Sequence, residues 1–199
     1  MSVMVKICGL REMRDVDAAV EAGADAVGFV FAESARRVSP DVAMAACENL
    51  PIKVLRVAVM QHPTDDEWQE VLDGFEPDVL QTDYTDYANL DVPEHVECWP
   101  VYRESLELDF SDLPDTYLYE GKKSGAGEAV NWQRAAMVAT HGRMILAGGL
   151  STQNVGEAIS IVRPYGVDVS SAVESTPGTK DPQKIVEFLQ AVRTAEKSL

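Results

Sequence analysis

A short apolar run near the N-terminus, Val5-Lys6-Ile7, ends in Cys8, and Gly9 follows at once. Packed as core, which is the commonest fate of a cysteine, the thiol would be inert. At the tip of a barrel strand it would meet a substrate, and there it could act as a base once its pKa falls from the free value of about 8.5. Glu120 closes another apolar run, Tyr117-Leu118-Tyr119, ahead of a glycine-rich stretch from Gly121 to Gly127. A carboxyl in that place is either a solvated strand-end acid or, if burial raises its pKa, a general acid.

Other side chains suit an anionic ligand. Arg36 and Arg37 form a cationic pair just after the second apolar run, in an otherwise acidic chain. A guanidinium matches a carboxylate or phosphate with a two-pronged fork, although a surface ion pair would use the same residues. Gly148-Gly149 and Ser170-Ser171 each follow a late strand-like run. In many barrels the turns after strands seven and eight bind phosphate through backbone N–H groups, and these residues let an anion approach closely. Asp168, near the end of the last run, could hold a substrate hydroxyl or anchor its own loop. Lys6 and Gln81, on the first and fourth runs, are further candidates for substrate binding.

These residues need a scaffold that brings distant strand ends together. The chain alternates strand-like and helix-like runs. Strands are expected at Val3–Ile7, Ala26–Phe31, Val54–Met60, Val79–Thr82, Cys98–Tyr102, Tyr117–Tyr119, Met144–Ala147 and Val167–Val169. Helices are expected at Met13–Ala22 with Gly23 as the stop, Ser39 to Asn49, Thr64 to Leu72 with a Thr64/Glu67 capping box, Trp132–Thr140, Asn154–Val162 and Pro182–Glu196. Eight strand signals with helices after six of them predict a parallel sheet, closed as a short (β/α)₈ barrel rather than open and doubly wound. No linker divides the chain, so residues 1–199 read as one α/β barrel domain.

Composition narrows the function. There are 33 acidic and 17 basic residues, a net charge of −16. Binding phosphates along a nucleic acid needs a basic surface, so no nucleic-acid partner is expected. No run is long enough to span a membrane, and Met1-Ser2-Val3-Met4 has no signal-peptide pattern, so a cytoplasmic protein is expected. Three cysteines lie far apart, and the three histidines show no ligand-like spacing to Cys or Asp, so no metal is expected. The acidic coat reads as adaptation to a high-salt cytoplasm.

Six segments in order resemble one family. They are Val5-Lys6-Ile7-Cys8-Gly9-Leu10, Gly23 to Phe31, Arg36-Arg37-Val38-Ser39-Pro40, Ser124-Gly125-Ala126-Gly127 with Trp132, Leu146 to Ser151 with Asn154-Val155, and Val167 to Glu174 with Pro177-Gly178-Lys180-Asp181. The chain is similar to the phosphoribosylanthranilate isomerases of tryptophan biosynthesis along nearly its whole length. The resemblance implies a short barrel, no cofactor and no metal, and a monomer or homodimer acting on a small phosphorylated sugar–anthranilate substrate. It implies Cys8 as base, Arg36 at the anthranilate carboxylate, and the glycine and serine turns at the phosphate. It departs at the acid, an aspartate in the family and Glu120 here, and after strand four, where Gln-Leu-His becomes Gln81-Thr82-Asp83. Two other readings stay open: a sister isomerase of a histidine-pathway aminoaldose, which would use two carboxylates, and a silent barrel that only binds phosphate ligands.

Overall fold

The computed structural model describes residues 2–106, 113–121 and 130–198. Eight parallel strands close on themselves in chain order, β8 pairing back onto β1. They are β1 (Met4–Cys8), β2 (Ala26–Val30), β3 (Leu55–Val59), β4 (Val79–Asp83), β5 (Glu97–Arg103), β6 (Thr116–Glu120), β7 (Arg143–Leu146) and β8 (Gly166–Val169). Outside them lie α1 (Met13–Ala22), α2 (Pro40–Ala46), α3 (Asp65–Phe75), α4 (Trp132–Val138), α5 (Val155–Val162) and α6 (Pro182–Glu196). The expected (β/α)₈ barrel is therefore the fold. Among the described residues no helix is long and apolar enough to cross a membrane.

Strand periodicity sorts the side chains into two cores. Val5, Ile7, Val27 and Phe29 face outward and pack with helix residues such as Val16, Ala19, Ile185 and Phe188. Met4, Ala26, Val57, Val79, Trp99, Leu118 and Ile145 fill the barrel. The same alternation turns Lys6, Cys8, Gln81, Asp83, Arg103, Glu120 and Asp168 inward, above this apolar floor. These seven polar residues thus gather above the apolar layer, toward the C-terminal ends of the strands.

Local chemistry explains most of the boundaries. Gly23 takes a left-handed φ of 95° and stops α1. Both halves of the Thr64/Glu67 capping box are made. This helix runs past the expected Leu72 because Phe75 is fully buried and completes the stripe Trp68, Val71, Phe75. In contrast α2 ends three residues early, at Ala46, and its Ser39 makes no side-chain cap. Pro100 sits inside β5, and the register with β6 begins only at Val101. After β4 there is a single 3₁₀ turn, Asp86–Ala88, in place of a helix. A small hairpin not expected from the sequence, β9 (Glu174–Thr176) and β10 (Thr179–Lys180), precedes α6. The glycine-rich stretch lies outside the described residues apart from Gly121.

Candidate active site

One cavity opens at the C-terminal ends of the strands. Cys8 from β1, Gln81 and Asp83 from β4, Arg103 from β5, Glu120 from β6 and Asp168 from β8 all line it. Arg36, Gly148, Gly149, Ser170 and Ser171 complete its wall. Every residue singled out in the sequence lines this cavity except Lys6, which lies beneath it, and Arg37. Cys8 and Glu120 thus share one space, although more than a hundred residues separate them in the chain.

The floor is a buried ionic group. Lys6 is fully buried, and its Nζ donates to Asp168 Oδ1 at 2.8 Å. Burial pushes the lysine pKa down, but the Asp168 carboxylate and the Cys8 sulfur outweigh it, so Lys6 ends above its ordinary value. Gly28 makes room for it, since a Cβ there would stand 3.0 Å from Lys6 Nζ and 3.3 Å from Cys8 Cα. The Cys8 pKa lies above its ordinary value, not below it. Burial pushes the thiol up, and the Lys6 ammonium pulls it back only in part. Gln81 is 6% exposed, and its Oε1 has no hydrogen-bond partner. A buried acceptor left unpaired costs about 1–3 kcal/mol, which a ligand N–H or O–H would relieve.

Arg36 is not an open fork. Its Nε and Nη2 donate to the two carboxylate oxygens of Glu174, at 2.7 and 3.0 Å. Arg37 points away and stands 3.4 Å from exposed Glu33. The turn after β7 has two left-handed glycines, Gly148 at φ 89° and Gly149 at φ 62°. Asn154 clamps it, donating from Nδ2 to the Gly149 carbonyl and accepting from the Ser151 N–H, both at 2.8 Å. The backbone is thereby held open at the N-terminal side of α5.

Four contributors were missed. Asp83 and Arg103 are bonded to each other, and Arg103 also reaches Glu120. Their signal was the strand period, two residues beyond Gln81 and Val101. Glu174 and Lys180 lie in the family-like C-terminal segment, but nothing in their spacing told that they face the site. The histidine reading also needs correction. His62 sits between two carboxylates, Nδ1 2.9 Å from Asp86 Oδ1 and Nε2 3.3 Å from Asp83 Oδ2. His62 follows β3, whereas its partners stand at the end of β4 and in the turn behind it, so sequence spacing could not show it. The hydrogen bond to Asp86 raises the His62 pKa. The Arg103 cation bonded to Asp83 opposes a metal ion there.

The family model described as N-(5'phosphoribosyl)anthranilate (PRA) isomerase matches residues 5–191. The chain belongs to this family. A PRA isomerase of Listeria monocytogenes is 39% identical over 206 residues, covering 98% of this chain and all of that one. The crystal structure of the Thermus thermophilus PRA isomerase superposes with a TM-score of 0.84 at 30% identity, covering 96% of this chain and 99% of that chain. A further PRA isomerase structure, in complex with reduced 1-(o-carboxyphenylamino)-1-deoxyribulose 5-phosphate, matches with a TM-score of 0.79 at 30% identity and the same coverage.

Proposed function

We propose that this chain isomerises N-(5'-phosphoribosyl)anthranilate to the carboxyphenylamino-deoxyribulose phosphate, the PRA isomerase step of tryptophan biosynthesis. The observation that carries this reading is the shared cavity of Cys8 and Glu120, walled by the Gly148-Gly149 and Ser170-Ser171 turns. Glu120 gives a proton to the ribose ring oxygen as its bond to the anomeric carbon breaks, leaving an iminium. The Cys8 thiolate then removes the proton from the neighbouring sugar carbon. The enolamine that results tautomerises to the ketone, so atoms and charge balance without an oxidant. Each proton transfer by a placed group contributes about 10² to 10⁴ in rate. Strand tips fix both groups, which supplies orientation.

In the same reading Arg36 receives the anthranilate carboxylate. Gln81 Oε1 and Asp168 face the sugar, Lys6 supplies positive charge from below, and Gly148, Gly149, Ser170 and Ser171 hold the phosphate. We place the enzyme in the cytoplasm and read its acidic coat as an adaptation to salt. Anthranilate fluorescence tests the activity. Loss of the substrate signal on adding the protein to freshly formed substrate is expected, whereas saturable binding without loss would leave a silent barrel.

A further inference from the structure

Two charged side chains with no part in these proton transfers are buried beside the cavity. Glu174, which opens β9, is 8% exposed, and Lys180, which ends β10, is 3% exposed. Charged residues are almost never buried this deeply unless paired. Here Lys180 Nζ donates to Glu174 Oε1 at 2.9 Å. Each partner also reaches a different loop of the site. Glu174 holds the Arg36 guanidinium, in the loop after β2, with both carboxylate oxygens. Lys180 donates to the Ser170 carbonyl at 2.9 Å and to its hydroxyl at 3.3 Å, in the loop after β8. An ammonium has three protons, and these three acceptors use them all, so Lys180 is an anchor and not a ligand-binding donor.

The hairpin carrying the pair is seated firmly. The Gly178 N–H donates to Glu174 Oε2 at 3.3 Å, and Lys184 Nζ from α6 donates to the Glu174 carbonyl at 2.7 Å. Gly178 has φ 82°, and a Cβ there would stand 2.4 Å from the Ala35 carbonyl oxygen, so the hairpin presses directly on the Arg36 loop. Burial pushes the Glu174 carboxyl up, but hydrogen bonds from Arg36 and Lys180 outweigh it and keep it below the ordinary range. The chain Arg36–Glu174–Lys180–Ser170 is therefore a continuous ionic strut across the mouth. Its formal charge of +1 favours anions.

We propose that Glu174 and Lys180 are positioning residues that fix the spacing between a carboxylate subsite at Arg36 and a phosphate subsite at Ser170, so that the site selects ligands bearing both anions at one separation. The inference rests on the function proposed above. Holding a ligand at both ends adds affinity only when the spacing of the sites matches its length. A strut that sets this spacing would affect the two-headed ligand and spare each half.

Calorimetric titration of the purified full chain tests this with three probes: reduced 1-(o-carboxyphenylamino)-1-deoxyribulose 5-phosphate, anthranilate and inorganic phosphate. In Glu174→Gln, which keeps the shape and removes the charge, Kd for the two-headed probe should rise about 10- to 100-fold, and each half should change by less than about threefold. Lys180→Met cuts the strut from the Ser170 side and should give the same split. Unchanged two-headed binding, or equal losses for whole and halves, overturns the proposal. So does failure of both variants to fold by circular dichroism, which would make the pair a folding element. If the unmodified protein does not bind the two-headed probe, the functional reading fails instead, and the two failures are distinct.

Discussion

Arg103 Nε stands 3.3 Å from Glu120 Oε1, and the same guanidinium is bonded to Asp83 on its other side. The β5–β6 register sets Arg103 directly beside Glu120. The acid is therefore held in place by a cation that two carboxylates share. Glu120→Gln keeps the shape and removes the transferable proton, so kcat should fall about 10² to 10⁴-fold with binding of the reduced product retained. Glu120→Asp should keep measurable turnover. Arg103→Lys should lose less than Arg103→Met, because one charged donor can still span the pair. Normal turnover by Glu120→Gln would remove it as the acid and make Asp168 the next candidate.

The thiol leads to a prediction in pH. Turnover needs Cys8 deprotonated and Glu120 protonated at once, so kcat/KM should follow a bell-shaped pH profile with one limb set by the thiol, whose pKa burial raises. Lys6 lowers this pKa against burial. Replacing it, Lys6→Met, should move the thiol's limb to higher pH as well as reduce the rate. Cys8→Ser should nearly abolish turnover and leave phosphate binding intact. A limb that stays in place in Lys6→Met would mean that the titrating group is not the thiol.

Two glycines separate space from backbone strain. Gly28 has an ordinary backbone, and its problem is only the nearby Lys6 head and Cys8 backbone. Gly28→Ala should fold and melt near the parent temperature, yet lose activity by up to about 10²-fold as Lys6 and Cys8 are displaced. Gly9 has φ 77°, and a Cβ there would also stand 2.6 Å from Arg36 Cδ. Gly9→Ala should cost at least about 1–2 kcal/mol in backbone strain, a drop in Tm of about 2–8 °C for a chain of this size. Melts and assays of the two variants side by side check both.

The barrel was legible because parallel strands covered on both faces are continuous apolar runs, and the helices between them carry their own stops and caps. Pro100 did not hide β5, since the pairing with β6 starts after it. Cys8, Glu120 and the two late turns were legible as strand-tip chemistry. What could not be read was pairing between tips. Arg36 looked free because Glu174 lies 138 residues away. His62 looked isolated because its carboxylates come from β4 and the turn behind it. The raised pKa of Cys8 was hidden for a similar reason, since how much water reaches the thiol is a property of the assembled barrel.

The last prediction concerns salt. Of 33 acids and 17 bases, at least 16 acids have no basic counterpart anywhere in the chain. The exterior keeps this excess, because Lys6, Lys180, Arg36 and Arg103, which are buried or serve the cavity, are matched there by Asp168, Glu174, Asp83 and Glu120. Like charges of this density repel across the surface and oppose the compact state. Screening acts within a Debye length, about 10 Å at 0.1 M and about 3 Å at 1 M. The buried pairs Lys6–Asp168 and Lys180–Glu174 are shielded from it, so salt should relieve repulsion without dissolving the ionic network. Thermal melts from dilute buffer to molar KCl should therefore show Tm rising steeply. A gain of a few kcal/mol corresponds to about 5–10 °C at this chain length. Sucrose at matched osmolality should give less, because it strengthens burial without screening charge. A flat KCl profile would leave the acidic coat with no role in stability and end the reading of salt adaptation.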